Sequence, residues 1–178
     1  LALYTGMRSG ELYALKWSQI SFEARQIKVD CGWNVKDGFK STKSGDERLV
    51  EISLDLLKFL KQLKRKVEGQ VEQDFVLPRI WRWKRGDQAR ELRSFLQAIG
   101  LPYEKMRFHD LRATWCTMLL NLGVEPAKVM SQGGWSSLSV LMHYLRQGGI
   151  SIKGSLDVLK LHDPEESLGR RDVINIPY

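Results

Sequence analysis

The chain has 178 residues, 43% hydrophobic and 28% charged, with a formal net charge of +7. That length suffices for the core of one domain, and that balance excludes a disordered or low-complexity protein. No apolar run approaches the ~20 residues that cross a bilayer, so no membrane partner is expected.

Leu1-Ala-Leu-Tyr4 reads as the end of a helix, and the chain is therefore read as a fragment of a longer protein with something N-terminal to it. A helix starts at Ser9 as N-cap, with Glu11 in its first turn where a carboxylate suits the dipole, and runs to about Trp17. From Ile20 to Ile52 the period shortens. Gln26–Val29 alternates, and Phe39–Lys43 and Arg48–Ile52 flank a Ser44-Gly45-Asp46 turn, which predicts a small antiparallel three-stranded sheet ending in a hairpin. Leu56, Leu57, Leu60, Leu63 and Val67 then form one face of a basic helix.

Phe75–Pro78 is a short extended piece, and a basic stretch with Trp81 and Trp83 leads into a helix near 88–99. Further helices fit 109–122, 126–132 and 137–146, and Ile152–Leu161 is amphipathic. Leu111, Trp115, Met118 and Leu122 are the expected core stripe of the first, and Leu138, Leu141, Met142 and Leu145 that of the third, with Tyr144 at its edge. The class is α+β, mainly helical with one small sheet. Cys31 and Cys116, like His109, His143 and His162, are dispersed, so no metal or cofactor is expected and a reduced, cytoplasmic setting fits.

The charge is localised. Residues 58–112 carry fourteen basic and seven acidic side chains, whereas 1–57 carry eight of each and 113–178 six of each. A basic stripe of this kind suits a phosphate-neutralising surface, although a solvated lysine-rich face produces the same count.

Four segments bear on chemistry. In His109-Asp110-Leu111-Arg112 the histidine and arginine share a helix face and can grip an anion together, or they can cap the helix and pair with Asp110. In Thr5–Leu12, Gly6 and Gly10 leave room to bring Arg8 into a pocket, with Glu11 placed to orient its guanidinium. Lys43 flanks the hairpin turn, where a lysine is ordinarily exposed. Tyr144 follows Gly134-Trp135 by nine residues and, taken alone, is a half-buried packing tyrosine.

In this order and at these spacings, the segments resemble the tyrosine recombinase (phage integrase) family over about residues 1–147. The resemblance implies the integrase-like DNA breaking-rejoining fold and a single catalytic domain over 1–178, with 148–178 a tail that docks on a neighbouring protomer. It implies Tyr144 as the nucleophile, Arg8 and Arg112 as phosphate clamps, Lys43 as the hairpin lysine and His109 as the first histidine. Trp135 stands at the second-histidine position, with Glu11 and Asp110 in supporting ones. Double-stranded DNA is the implied substrate, a homotetramer on DNA the implied assembly, and a bacterial or phage-encoded, site-specific recombinase or integrase the implied protein.

The departure at Trp135 constrains the proton chemistry. Indole offers only an N–H donor, so Trp135 can bind a phosphate oxygen or pack on Tyr144 but cannot shuttle a proton. His109 is then the base candidate for the phenol and Lys43 the donor to the departing 5′ oxygen. Two rival functions share these residues: a type IB topoisomerase-like enzyme that relaxes DNA, and a lapsed DNA-binding regulator that keeps only the fold.

Overall fold

The computed structural model describes residues 1–41, 47–68, 74–77, 86–101 and 105–148. Two short helices, α1 (Ala2–Thr5) and α2 (Ser9–Ala14), open the chain, joined at Gly6 with φ 60°. A Cβ at Gly6 would lie 2.3 Å from Trp115 Cε3, so glycine is needed there for both its backbone and its lack of bulk.

Helix α2 is shorter than the sequence suggests, and its N-cap is Arg8 rather than Ser9. It ends because Leu15 turns extended and the chain pairs with a distant segment: Val76 N–H donates to Leu15 O at 2.9 Å, and Trp17 N–H to Asp74 O at 2.9 Å. The expected extended piece at Phe75 is thus present, bridged to Lys16. A 3-10 turn, Trp17–Gln19, leads on to the strands.

Strands β1 (Ile20–Ser21), β2 (Gln26–Val29) and β5 (Arg48–Glu51) form an antiparallel three-stranded sheet, in the order β1-β2-β5, in which β2 and β5 are expected strands and β1 stands where 39–43 was expected. Ile27 faces Val50 across it, and both are fully buried. The hairpin differs from expectation. Strand β4 (Gly38–Ser41) pairs with β3 (Cys31–Asn34), not with β5. The turn that joins them is built by Asn34, whose Oδ1 accepts the N–H groups of Lys36 and Asp37, and by Gly38 at φ 69°. The residues expected to turn between β4 and β5, Ser44-Gly45-Asp46, lie outside the described residues.

Ser53 caps α3 (Leu54–Val67), its Oγ accepting the Leu56 N–H, and Lys64, Arg65 and Lys66 sit at the carbonyl end, where cations suit the dipole. Leu56 and Leu60 face the sheet and complete a first core with Leu12, Leu15, Ile27, Val29, Val50 and Ile52. Helix α4 (Asp87–Ala98) follows, and Tyr13 Oη donates to Gln88 Oε1 from across the fold.

A second core lies among α5 (Asp110–Asn121), α6 (Pro126–Gly133) and α7 (Leu138–Gly148). Its buried members are Trp115, Cys116, Val129, Trp135, Leu141 and Tyr144. Two expected stripes are corrected here. On α5, Met118 and Leu122 are exposed and the buried face is Arg112, Trp115 and Cys116, because α1 packs on one side and α6 and α7 on the other. On α7, Leu138 and Met142 are exposed and Tyr144 is buried beside Leu141, since the face is turned toward Trp135. No helix among the described residues is long and apolar enough to cross a membrane.

Candidate active site

The buried charged side chains among the described residues are Glu11 and Arg112, and both stand where the two cores meet. Arg112 is 2% exposed and donates from Nη1 to Gly6 O and from Nη2 to Gly133 O, each at 2.5 Å. One guanidinium therefore joins the turn before α2 to the end of α6. Its Cζ lies 4.4 Å from the Trp135 ring centroid, a cation–π contact, and its Nε–H is buried without a partner among the described residues. Burial, then the neighbouring charge of Arg8, lowers its pKa to about 10, so it stays charged at neutral pH.

Arg8 is held differently. Its side chain is 50% exposed, tied by Nη1 to Glu11 Oε1 at 3.0 Å, with Nη2 3.4 Å from Gly134 O. The Arg8 backbone N–H donates to Glu11 Oε2 at 2.7 Å, so Glu11 both caps α2 and aims the side chain in front of it. Glu11 is the orienting carboxylate that the spacing predicts.

Tyr144 and His109 are brought together. His109 Nε2 and the Tyr144 hydroxyl are 2.8 Å apart, although the first sits before α5 and the second on α7. Burial, then the charge of Arg112, lowers the His109 pKa, outweighing the opposite pull of Asp110. A neutral imidazole with a free nitrogen toward the phenol is the form that accepts its proton.

Trp135 packs against Tyr144. Its ring lies 5.1 Å from that of Tyr144 and 6.1 Å from that of Trp115, and it is 9% exposed. Trp115 in turn packs under Gly6, so the aromatic column reaches from the nucleophile candidate to the turn before Arg8. Asp110 is set apart: it accepts the Arg107 backbone N–H at 2.8 Å and the Arg107 guanidinium at 2.9 Å, which orders the start of α5. The sequence alternative of an Asp110–Arg112 pair is not what forms. Lys43 lies outside the described residues, as do Trp81, Trp83 and the tail from 149 on. Among the described residues no group of three or more His, Cys, Asp or Glu is arranged to hold a metal ion.

Sequence reasoning missed Arg48. Its Nη1 and Nη2 donate to Glu11 Oε1 and Oε2 at 2.9 and 2.6 Å, and its Nε to Gln132 O at 2.8 Å. A signal for it existed: in a period-two strand Arg48 shares a face with Val50, the buried one.

Comparison with known proteins shows the family and the fold. The model of the phage integrase family matches residues 1–148. The integrase of Salmonella phage P22 is 30% identical over 150 residues, which is 80% of this chain and 36% of that protein. A XerC-like tyrosine recombinase of Caldanaerobacter subterraneus subsp. tengcongensis is 29% identical over 167 residues, 79% of this chain and 42% of that protein. The chain thus spans well under half the length of these relatives. Among solved structures, the Tn1549 transposon integrase in complex with a circular intermediate DNA superposes with a TM-score of 0.68 at 18% identity, covering 89% of this chain and 56% of that one. The XerA recombinase does so with a TM-score of 0.66 at 22% identity, covering 88% and 54%.

Proposed function

The chain belongs to the phage integrase family, and on that premise we propose that it is the catalytic part of a site-specific DNA recombinase that cuts and rejoins strands through a 3′-phosphotyrosine. The observation that carries the proposal is the 2.8 Å contact between His109 Nε2 and the Tyr144 hydroxyl, beside two arginines that differ in how firmly they are held.

The chemistry follows from charge. A phosphodiester repels a nucleophile, and negative charge accumulates on its non-bridging oxygens as the attacking oxygen approaches. Arg8, half exposed and aimed by Glu11, offers a forked donor to one such oxygen. Arg112, buried behind it and held by Gly6 O and Gly133 O, supplies a fixed positive charge to the site. Tyr144 oxygen bonds to phosphorus as its proton passes to His109 Nε2, and the bond to the 5′ oxygen breaks. Lys43 protonates that leaving oxygen. The phosphotyrosine keeps the energy of the broken bond, so rejoining is the same path reversed and needs no ATP.

In this reading the substrate is double-stranded DNA, residues 1–178 are one catalytic domain, and the protein works in the cytoplasm of a bacterium as a homotetramer on DNA. Residues 148–178 are the tail that docks on a neighbouring protomer. Arg8, Lys43, His109, Arg112, Trp135 and Tyr144 form the site, with Glu11 and Asp110 in support. The test is a duplex oligonucleotide carrying a nick that lets the cut end diffuse away. The protein should become covalently attached to the 3′ side of the break, and Tyr144→Phe should not. An adduct that persists in Tyr144→Phe, or none in the unsubstituted protein, overturns the reading.

A further inference from the structure

We propose that Arg48 is a positioning residue for Arg8: by saturating the Glu11 carboxylate, it keeps Glu11 from neutralising the arginine that meets the phosphate. The inference rests on the recombinase reading above, since it concerns how that site presents its charge.

The argument begins with the acceptor capacity of Glu11. An ionised carboxylate has about four lone-pair positions, two on each oxygen. Here Oε1 accepts from Arg48 Nη1 at 2.9 Å and Arg8 Nη1 at 3.0 Å, and Oε2 from Arg48 Nη2 at 2.6 Å and the Arg8 backbone N–H at 2.7 Å. All four are taken. The shorter, bidentate pair belongs to Arg48, and the Arg8 guanidinium holds a single end-on bond. Apart from the long 3.4 Å bond from Nη2 to Gly134 O, its other N–H groups are left for an anion, and its side chain remains half exposed while that of Arg48 is 10% exposed.

Arg48 is itself fixed at a third point, by the 2.8 Å bond from Nε to Gln132 O at the end of α6, and the same residue's Oε1 accepts the Glu51 N–H of β5 at 3.1 Å. Gly134 completes the fit. A Cβ there would lie 3.1 Å from Arg48 Cδ and Nη1, and Gly134 is the residue whose carbonyl Arg8 approaches. The guanidinium plane of Arg48 is therefore set by the sheet and by α6, and it sets the carboxylate plane in turn.

Charge accounting gives the same direction. Arg8, Arg48 and Arg112 against Glu11 leave two positive charges for one phosphate. Without Arg48 that sum falls to one, and the Glu11 carboxylate is free to rotate onto Arg8 as a bidentate partner, which turns the Arg8 fork away from the substrate. Arg48 touches no substrate in this scheme. It acts through Glu11.

The experiment is a four-way comparison of the single-turnover adduct assay for the unsubstituted protein, Arg48→Met, Glu11→Gln and the double variant, with Arg48→Lys as a fifth sample and thermal melting recorded for each. Arg48→Met is expected to slow adduct formation by about 10- to 100-fold, the scale of a misplaced catalytic group, with little change in DNA affinity. In the Glu11→Gln background, where no carboxylate is present to capture Arg8, adding Arg48→Met should change the rate by less than about 3-fold, a breakdown of additivity that marks action through Glu11. Arg48→Lys keeps the charge and should recover part of the rate. If Arg48→Met lowers the rate by the same factor with and without Glu11, or if the loss is matched by the fraction unfolded, Arg48 is a structural strut and the proposal falls. It falls equally if Arg48→Met reacts like the unsubstituted protein. If the unsubstituted protein forms no adduct, it is the recombinase reading that fails.

Discussion

His109 Nε2 stands 2.8 Å from the Tyr144 hydroxyl across 35 residues of sequence, so on the proposed mechanism the phenol and its base are already in contact. The contact works for catalysis only when the imidazole is neutral with its proton on Nδ1. The opposite tautomer donates to the phenol and holds its proton in place.

The pH dependence follows from that requirement. Burial, then the charge of Arg112, lowers the folded pKa of His109 below the ordinary 6.5. A lowered histidine favours the neutral form, so its share of stability and of activity is present above 6.5 and is lost as pH falls through the lower folded value. Single-turnover adduct formation should be flat through neutrality and decline only below 6.5. His109→Gln should remove that acidic limb and cost about 10²–10⁴ in rate. An unchanged limb in the variant would assign it to another group.

The two arginines should separate stability from activity. Arg112→Ala strands the carbonyls of Gly6 and Gly133 inside the protein, at a cost of about 2–5 kcal/mol, and abolishes cleavage. Arg8→Ala, at a half-exposed position, should leave the melting temperature nearly unchanged while lowering cleavage by about 10²–10³. Melting curves alongside adduct assays on the same preparations check both.

The aromatic column gives a third outcome. Trp135→Ala removes a ring that touches Tyr144, Trp115 and Arg112 together and should destabilise by about 3–5 kcal/mol. Trp135→Phe keeps a ring against Tyr144 and should cost clearly less. Equal melting temperatures for the two would mean that the column carries no load.

Glu11 predicts an acid transition. Burial alone would raise its carboxyl, but the hydrogen bond and charge of Arg48, then those of Arg8, outweigh it and hold the pKa below the ordinary 4.5. A depressed carboxylate contributes stability that is present above 4.5 and lost as pH falls through the lower folded value. Denaturation free energy measured against pH should show this loss, and Glu11→Gln should lack it.

The charge stabilisation assigned to Arg8, Arg112 and Lys43 needs no metal ion, so adduct formation should proceed at the same rate in excess chelator. A rate that collapses on chelation and returns with added divalent metal would replace this scheme.

Much of this was legible in the sequence, and the gaps have physical causes. Local spacing makes Glu11 legible as the partner of Arg8, whereas the roles of Arg8, His109 and Arg112 are implied only by the resemblance of the ordered segments to the family. The β3–β4 pairing is not legible in the sequence because Phe39–Lys43 and Arg48–Ile52 alternate equally well with either partner, and only the burial of Val50 against Ile27 selects β2 for the latter. Periodicity puts Tyr144 at the edge of its helix because it counts apolar residues and carries no information that Trp135 stands opposite. Arg48 went unnoticed because its partners, Glu11 and Gln132, are 37 and 84 residues away.

The bonds made by Arg112 also determine when the site can exist. Gly6 is 106 residues before it and Gly133 is 21 after, so the pocket closes only when both ends of a long loop are in place. Contacts of such sequence separation are slow to form and depend on the rest of the fold. During synthesis Arg8 and Lys43 leave the ribosome well before Arg112 and Tyr144, and nothing between them forms a working centre. On the recombinase reading, a growing chain cannot cut DNA until Tyr144 has been made and the last helices have closed around it.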